Sequence, residues 1–192
     1  MASQSAARKN ILASFGINAK IYVTNADESL NDESDFTPLQ TVAELAQRKA
    51  RKAAAEINDR DALIIAADTV VAYNGQILGK PFDADDAVNM LTMLSGKYHE
   101  VYSGIAVVHA GKTICGCDVT KVKFRDISPK EIEEYVKTGD PLTKAGSYGA
   151  EGIGAAFMEH IEGDFFNIAG LPVFKFVNIL KNGFGMTIFD LT

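Results

Sequence analysis

The amino-acid sequence predicts an α/β protein in which helices flank one mixed sheet and a cleft lies between its two halves. Three observations lead to this fold class. A short apolar run at residues 63–67 has the composition of a strand buried on both faces. Asn74-Gly75 is a strong signal for a tight hairpin, and residues 109–111 mark a second one. Segments with helical periodicity and recognisable caps alternate with these strands.

The first predicted helix begins after Ser3 or Ser5 and ends at Gly16, a favourable residue after a last turn. Three side chains share its apolar face: Ile11, Leu12 and Phe15. Ser5 and Arg8 then lie at the helix N-terminus, where backbone N–H groups favour an anion. Two interpretations are open at this point: an anion-binding site, or a plain capped helix with an exposed arginine.

A strand is predicted at residues 19–24 and a polar loop at residues 25–38. Thr41 and Glu44 have the spacing of a capping box, which predicts that the next helix begins there. Lys49 lies within the apolar stripe of that helix, where a charged side chain is unusual. Its ammonium group either extends out to water or points into a polar cleft, and the sequence favours neither.

Asp68 directly follows the buried strand at residues 63–67, and a carboxylate at that place needs a partner or a function. The Asn74-Gly75 hairpin turns the chain back, so that Lys80 is directed toward Asp68. An acid and an amine at one sheet edge suit a divalent metal ion and a phosphate. A surface turn closed by a salt bridge explains the same pattern equally well.

The second half of the chain continues the alternation of helices and strands. Its predicted elements are a helix from Asp83 to about Ser95, strands at 98–108 and 112–125, a helix from Ser128 to about Lys137, a strand at 155–161, and a helix from Pro172 to Leu180 that stops at Gly183. Residues 144–154 contain four glycines, and such loops hold backbone close to a ligand such as a phosphate. The predicted cleft is lined by Arg8, Lys49, Asp68, Lys80, Lys144 and Glu151.

Length and composition are those of an ordinary globular protein of 192 residues, with 47% hydrophobic and 23% charged residues. The net charge of −6 argues against a nucleic-acid polymer or an anionic membrane as partner. Cys115 and Cys117 complete neither a disulfide framework nor a zinc set, and are predicted to be free thiols. No apolar run approaches the ~20 residues of a membrane span and no signal-peptide pattern is present, so we expect a cytoplasmic protein.

Eight short motifs follow one another in the order typical of one family. They are Ser3-Gln4-Ser5-Ala6-Ala7-Arg8 with Ile11-Leu12 and Gly16-Ile17 after it; Asp27-Glu28; Leu45-Ala46-Gln47-Arg48-Lys49-Ala50; Ala67-Asp68-Thr69-Val70-Val71; Gly79-Lys80-Pro81; Leu94-Ser95-Gly96 to His99 and Val101; Lys144-Ala145-Gly146, Tyr148-Gly149 and Gly152; and Gly163-Asp164 to Gly170-Leu171-Pro172. Each motif is weak alone, whereas eight in sequence are highly specific. On these residues the chain resembles, over essentially its whole length, the septum-inhibition-related Maf family of nucleoside triphosphate pyrophosphatases.

The resemblance implies a single Maf-like domain over residues 1–192, with a twisted sheet and two lobes around a central cleft, as in Maf and ITPase-like folds. It implies hydrolysis of a nucleoside or deoxynucleoside triphosphate to the monophosphate and pyrophosphate, by cleavage of the α–β phosphoanhydride bond. A divalent cation, Mg²⁺ or Mn²⁺, and a homodimer are implied in the same way. So is a house-cleaning activity on non-canonical or modified nucleotides.

The family's functional residues correspond to particular positions of this chain. The implied catalytic residues are Asp68 and Lys80. The implied substrate-binding positions are Ser5, Ala7, Arg8, Lys49, Thr69 and Glu151, and the implied metal ligands are Asp68, Glu28 and Glu151. Physical chemistry agrees with these roles, because water must attack a phosphorus surrounded by anionic oxygens. A carboxylate can take the water's proton or hold a metal ion, while cations neutralise the triphosphate.

The chain departs from the family pattern in three places. The family's first strand is either missing from the protein or lies outside this sequence, Ala7 replaces one of two phosphate-binding arginines, and Glu151 replaces a glutamine. The family sorts its substrates at the positions of Ala7, Thr69 and Glu151. Arg, Thr and Gln accompany dTTP and UTP, whereas Trp, Gln and Glu accompany 7-methyl-GTP, so the combination found here matches neither set.

The preferred base is therefore open, and a non-canonical or modified pyrimidine nucleotide is the first substrate to test. The missing strand and the missing arginine also motivate an alternative function. In that alternative the protein is a catalytically weak nucleotide-binding regulator of cell division or growth.

Overall fold

The computed structural model describes residues 1–29 and 36–192. These residues form two compact units. The first unit comprises Met1–Asp68, Ser103–Asp118 and Gly170–Thr192, and the second comprises Thr69–Tyr102 and Val119–Ala169. The chain passes between the units mainly within β-strands, so that the long strands contribute residues to both.

The described residues form five strands: β1 (Ile64–Tyr73), β2 (Gln76–Leu78), β3 (Tyr98–His109), β4 (Lys112–Phe124) and β5 (Met158–Glu162). They make one antiparallel sheet in the order β2–β1–β3–β4–β5. Val71 pairs with Leu78 between β1 and β2, and Lys121 pairs with Glu162 between β4 and β5. The predicted α/β class, a sheet flanked by helices, is confirmed.

Six α-helices lie in the same described ranges: α1 (Ala6–Ser14), α2 (Pro38–Ile57), α3 (Ala84–Leu94), α4 (Pro129–Lys137), α5 (Phe165–Ile168) and α6 (Val173–Ile179). Their starts are set locally: Ser5, Asp83 and Ser128 each accept a backbone N–H as the N-cap of α1, α3 and α4. In the part of the chain that the structure describes, no helix combines the length and the apolar character needed to cross a membrane.

Both predicted hairpins are present. Asn74 and Gly75 join β1 to β2 with φ of 50° and 79°, and Ala110 and Gly111 join β3 to β4 with φ of 51° and 78°. Positive φ at both central residues is the geometry of the two-residue turn that matches the twist of antiparallel strands. An Asn-Gly pair adopts it at little cost, which is why the first hairpin was readable from the sequence.

The first unit is organised by the packing of α2 on β1 and β3. The contact is made by small and aliphatic side chains: Ala46, Ala50 and Ala53 of α2, Ile64 and Ala66 of β1, and Ala106 and Val108 of β3. The approach is so close that a Cβ at Gly104 of β3 would collide with the main-chain carbonyl of Val42 in α2. This contact brings the middle of α2, with Lys49, next to β1.

The second unit has a core of larger side chains. Its main members are Leu91 and Leu94 of α3, Ile132 and Val136 of α4, and Val71, Val101, Val122 and Phe124 of the sheet. His99 is buried in this core, and its ring packs edge-on against Phe124 and Tyr148. A largely apolar face of β-strands covered by two amphipathic helices is the expected arrangement for this part of the chain.

The structure corrects the start of the chain in two places. Residues 19–24 were expected to form a strand, but that prediction is wrong. The Tyr22 N–H donates to the Met1 carbonyl at 3.0 Å, and the Ala2 N–H donates to the Ile65 carbonyl at 2.7 Å. The Met1 ammonium group also donates to the Lys20 carbonyl at 2.8 Å, so the segment pairs with Met1, but over a stretch too short to define a strand.

The helix start expected at Thr41 is also wrong. The capping box is formed by Thr37 and Gln40, with Pro38 in the first turn, and Thr41 lies buried inside α2. Pro at the first helical position favours this earlier start. Within the predicted polar loop, residues 25–29 have no regular structure, and residues 30–35 lie outside the described residues.

Two later boundaries differ as well. The chain at Gly152–Phe157 forms a 3₁₀ turn, so β5 begins at Met158 rather than at residue 155. α6 was expected to stop at Gly183, but a π-helical turn at Leu180–Phe184 continues it, and Gly185 with φ of 67° ends it. The left-handed conformation that terminates a helix is thus found two residues later than predicted.

Candidate active site

Asp68 lies near the middle of β1, after the buried Ala67 and before the partly buried Thr69. Only 9% of the residue is exposed. Its partner is Lys49 of α2, whose Nζ lies 2.6 Å from Asp68 Oδ1. This ion pair offsets the desolvation penalty of burying the Asp68 carboxylate in a strand. It also decides between the two interpretations of Lys49, because the ammonium group binds a carboxylate instead of extending to water.

Glu28 is the second acid at Lys49, with its Oε1 3.1 Å from Lys49 Nζ. Its side chain is 61% exposed, in contrast to that of Asp68. The neighbouring backbone is fixed by Arg48, whose Nη1 donates to the Ser29 carbonyl at 2.9 Å and whose Nε donates to Glu44 at 2.8 Å. Consecutive residues of α2 therefore hold both the backbone and the carboxylate of the segment that contains Glu28.

Arg8 is held in place by residues at both ends of the chain. Ser5 caps α1 and accepts the Arg8 N–H at 3.4 Å. The Arg8 guanidinium donates from Nε to the Gly170 carbonyl at 2.7 Å and from Nη1 to Ser3 Oγ at 3.1 Å. Ser5 thus acts as the predicted cap, and the guanidinium is oriented by two acceptors rather than exposed without a partner.

Arg8, Glu28, Lys49 and Asp68 form one electrostatic cluster in the first unit, which we call the Asp68 cluster. Burial lowers the pKa of Arg8, whereas the negative charges of Asp68 and Glu28 raise it. An arginine keeps its proton in proteins, so the cluster contains two cations and two anions. These charges balance one another, and a bound triphosphate would require further positive charge.

Ala7 precedes Arg8 in the first turn of α1 and is partly buried. Its methyl group offers no N–H to a phosphate, unlike the arginine of the family pattern. Arg8 is therefore the one arginine that this turn of α1 presents.

Thr69, Lys80 and Glu151 belong to the second unit. Thr69 follows Asp68 in β1 and is partly buried, and Lys80 is exposed just beyond the end of β2. The pairing of β1 with β2 ends at Val71 and Leu78, and Lys80 lies in the bend that follows. Glu151 is exposed and immediately precedes the 3₁₀ turn at Gly152–Phe157.

The Gly-rich segment of the second unit packs on the β1–β2 hairpin. Gly146 has φ of 63°, and a Cβ there would lie 2.9 Å from the side chain of Val71. Its N–H donates to the Gly79 carbonyl, next to Lys80, at 2.9 Å. Packing against protein therefore explains this glycine without a phosphate.

Lys144 of the same segment has an acid as neighbour. Its Nζ lies 3.6 Å from Asp140 Oδ1, and Tyr135 Oη donates to Asp140 Oδ2 at 2.8 Å. Burial, followed by this hydrogen bond, raises the pKa of Tyr135 well above its ordinary value. Lys144, Asp140 and Tyr135 thus form a local polar group at the start of the Gly-rich segment.

The acids of the Asp68 cluster have the chemistry of a divalent-cation site. Asp68 and Glu28 both direct a carboxylate oxygen at Lys49 Nζ, so they converge on one cation position. Hard carboxylate oxygens are the ligands that Mg²⁺ and Mn²⁺ prefer, and Mg²⁺ commonly uses one or two carboxylates together with substrate phosphates. Within residues 1–29 and 36–192, no three or more His, Cys, Asp or Glu side chains come together as a metal site. The residues present fit a cation that the substrate helps to hold.

Three contacts of this site were not predicted from the sequence: those of Ser3, Arg48 and Gly170. Ser3 and Gly170 belong to motifs that point to the family, but no local pattern says that Arg8 binds a carbonyl 162 residues away. Arg48 precedes Lys49 in its motif, and its bond to Ser29 depends on how the polar segment folds back on α2. The residue types in these motifs indicated the family, but their spacing along the chain gave no indication of these contacts.

The chain is similar to known proteins over nearly its whole length. A family model described as Maf-like protein matches residues 1–183. A dTTP/UTP pyrophosphatase of Dictyoglomus turgidum is 44% identical over 190 residues, which cover 98% of this chain and 96% of that protein. The dTTP/UTP pyrophosphatase of Bacillus cereus is 41% identical over 181 residues, covering 94% and 93% of the two chains. That of Alkaliphilus oremlandii is 40% identical over 190 residues, covering 98% and 97%. By its motifs, its fold and these full-length similarities, the chain belongs to the Maf family.

Proposed function

We propose that this protein is a nucleoside triphosphate pyrophosphatase, a hydrolase of nucleotide metabolism that converts a (d)NTP to the (d)NMP and pyrophosphate. Its relatives are named dTTP/UTP pyrophosphatases and match nearly all of the chain. In this reaction water adds to a phosphorus of the α–β anhydride, the bridging P–O bond breaks, and the products are the nucleoside monophosphate and pyrophosphate. The protein must accept the water's proton and neutralise the charge of the phosphates.

The ion pair between Asp68 and Lys49 is the observation that carries this proposal. Asp68 is a nearly buried carboxylate fixed by a strand, and it lies next to a cation rather than in an apolar pocket. In our mechanism Asp68 accepts the proton of the attacking water, a role worth about 10²–10⁴ in rate. Lys49 orients that carboxylate and contributes positive charge beside the phosphates.

Arg8 provides the second fixed cation for the phosphates. Its bonds to Ser3 and Gly170 hold the guanidinium plane before any substrate binds. A pre-oriented guanidinium loses little rotational freedom when it binds an oxyanion, and such charge-assisted hydrogen bonds are worth about 1.5–3 kcal/mol. We assign Lys80 a similar charge-neutralising role in the second unit, and Ser5 an interaction with a phosphate oxygen at the start of α1.

Asp68 and Glu28 are the residues that we propose hold the divalent cation, with Glu151 as a further candidate ligand. When bound, such a cation supplies positive charge to the phosphate oxygens and makes water a better nucleophile. The Asp68 cluster has no surplus positive charge of its own, because its two cations face two carboxylates. Mg²⁺ or Mn²⁺ would provide that surplus.

Pyrimidine nucleoside triphosphates are the substrate class that we propose, with dTTP and UTP as the reference compounds and modified pyrimidines as competitors. The names of the relatives support the reference compounds. Thr69 agrees with the dTTP and UTP set of the family, whereas Ala7 and Glu151 depart from it. A house-cleaning activity would appear as a higher kcat/KM for a modified pyrimidine than for dTTP or UTP.

The decisive experiment measures pyrophosphate release from dTTP, UTP, modified pyrimidine triphosphates and purine triphosphates, with Mg²⁺, with Mn²⁺ and with a chelator. We expect cation-dependent release that falls by at least about 10²-fold in Asp68→Asn. Asp61→Asn is the matched control, because Asp61 is an exposed acid in the loop before β1. Circular dichroism and urea unfolding confirm that both variants are folded.

Normal turnover by folded Asp68→Asn would refute the assignment of this residue. Nucleotide binding without release of pyrophosphate from any compound would favour the alternative, a catalytically weak regulator of cell division or growth. Its physical basis would be Ala7, which removes a phosphate-binding cation from α1.

We also propose, from the family resemblance, that the protein is a homodimer and acts in the cytoplasm, where nucleotide pools are found. Light scattering coupled to gel filtration gives the mass of the particle in solution. A particle of one chain's mass at assay concentrations would refute the dimer without affecting the proposed reaction.

A further inference from the structure

The only two cysteines of the sequence lie two residues apart on β4, within the first unit. Alternate residues of this strand face different helices. Position 116 faces α6, because a Cβ at Gly116 would lie 3.4 Å from Ile179 Cδ1. Cys115 and Cys117 therefore project from the opposite face of the sheet.

That opposite face is covered by the first half of α2. Gln47 Nε2 donates to Cys115 Sγ at 3.2 Å, and the Cys117 thiol donates to the Leu39 carbonyl at 3.8 Å. Cys115 is exposed and Cys117 is partly buried. Both sulfurs thus lie along one side of one helix, and neither is part of a disulfide.

The spacing of Cys115 and Cys117 allows one ligand atom to bond to both sulfurs. Residues i and i+2 of a strand are separated by about 6.6–6.8 Å, since each residue rises by about 3.3–3.4 Å. A disulfide, with sulfurs only about 2 Å apart, tolerates Cα separations of about 4.4–6.8 Å. A bridging atom between the sulfurs relaxes this requirement. Burial raises the pKa of the Cys117 thiol, and the neighbouring Cys115 raises it further.

There is also room beside Cys115. A cavity of about 230 Å³ is lined by Cys115 and by Phe36, Gln40, Ala43, Glu44 and Gln47. An apolar cavity of about 150 Å³ is enough to hold benzene. An aromatic group carried by the ligand atom therefore fits next to Cys115, against Phe36 and Ala43.

We propose that Cys115 and Cys117 form a two-thiol binding site for a thiophilic metalloid centre of the aryl-arsenic(III) class. The reaction with an arsine oxide is a condensation: two S–H bonds and the As=O bond break, two As–S bonds form, and one water is released. Arsenic stays in the trivalent state, so no oxidant or reductant is required. Nothing in the proposed hydrolase reaction uses these thiols.

The test uses phenylarsine oxide and the whole chain, reduced and freed from reductant. We expect one phenylarsenic group per chain by intact mass, and loss of both thiols to a chromogenic thiol reagent. Because the sequence has only two cysteines, every thiol counted is Cys115 or Cys117. Cys115→Ser and Cys117→Ser should each weaken binding by about 10²–10⁴-fold, the gain expected from a second linked contact. The double variant is the blank.

A small dithiol should remove the group, whereas a monothiol at the same thiol concentration should not. Either of two results would overturn the proposal. One is that both thiols remain titratable after treatment; the other is that a folded single variant binds as tightly as the unchanged protein. Melting curves of the untreated variants establish that they are folded.

Discussion

Lys49 of α2 and Asp68 of β1 are joined by a 2.6 Å contact between Nζ and Oδ1, in a place where both side chains are largely shielded from water. The contact links the helix that organises the first unit to the strand that carries the proposed catalytic acid. Glu28 shares the same ammonium group at 3.1 Å. A lysine held by two acids is oriented before a substrate binds. The stability of this site and the orientation of its carboxylates therefore depend on Lys49.

Lys49→Met should destabilise the protein because it leaves Asp68 buried without its cation. Removing one partner of a buried ion pair lowers the free energy of unfolding by about 3–5 kcal/mol. Because both side chains keep some exposure to water, we expect a loss of about 2–4 kcal/mol here. Urea unfolding measures the loss. Adding Asp68→Asn should recover part of it, giving a coupling of about 1–3 kcal/mol. Strictly additive losses would mean that the pair has no energetic role.

Arg48→Ala should impair substrate or cation binding more than it impairs stability. Arg48 fixes the Ser29 backbone, and without that bond Glu28 is less often beside Lys49. We expect KM for the substrate, or the cation concentration at half-maximal rate, to rise about tenfold, the effect of one charge-assisted hydrogen bond. Arg51→Ala, an exposed arginine on the same helix, is the control and should change neither value. Equal effects of the two variants would contradict the positioning role.

Ala7→Arg together with Glu151→Gln should raise kcat/KM for dTTP and UTP relative to modified pyrimidines. The double change restores the residue set that accompanies these nucleotides in the family, and Ala7→Arg adds a phosphate-binding cation. Because the triphosphate is common to all these substrates, the added cation should raise kcat/KM about tenfold or more for each of them, and the ratio between substrates reports on the base. Steady-state kinetics on the same substrate panel provides the measurement. An unchanged preference would exclude these positions as determinants of the base in this chain.

His99 should make the protein less stable in acid. The residue is 2% exposed, and burial lowers its pKa from 6.5 to about 4. Between these two pH values the His99 imidazole is protonated in the unfolded chain and stays neutral in the folded chain. The free energy of unfolding therefore falls as pH decreases from about 6.5 to about 4, by about 3 kcal/mol in total, and the loss is constant below that range.

His99→Gln tests this prediction through the slope of stability against pH, independently of any change in absolute stability. Urea unfolding between pH 7.5 and 4.5 should give a smaller slope in this variant than in the unchanged protein. His160→Gln, at an exposed position of β5, is the control variant. Identical slopes for all three proteins would show that His99 does not titrate as expected.

Gly104→Ala should destabilise the first unit and reduce activity. The added methyl group would meet the Val42 carbonyl and push α2, with Lys49, away from the sheet. Overpacking of this kind costs about 1–3 kcal/mol. Gly116→Ala is the matched control on the next strand, because its Cβ would make ordinary contact with Ile179 at 3.4 Å. Thermal melts and pyrophosphate release should separate the two variants clearly, and equal behaviour would refute the proposed close contact.

Local features of the fold were predictable because their causes are local. The caps at Ser5, Asp83 and Ser128 and the turn at Asn74-Gly75 each depend on a few consecutive residues. The strand expected at residues 19–24 was wrong for the opposite reason: the segment has a suitable composition, but a strand also needs a partner along its length. The start of α2 was misplaced by one turn because two capping patterns compete and the one that contains Pro38 forms.

The amino-acid sequence by itself determined the family, the α/β class and the residue types of the site, since motifs and periodicities are written in consecutive residues. Only the tertiary structure decided what each charged group binds. Lys49 could have reached water, yet the packing of the alanine face of α2 on β1 and β3 places it on Asp68. Arg8 is likewise fixed by a carbonyl 162 residues away. Burial and charge act through space, so contacts of this kind follow from packing and not from spacing along the chain.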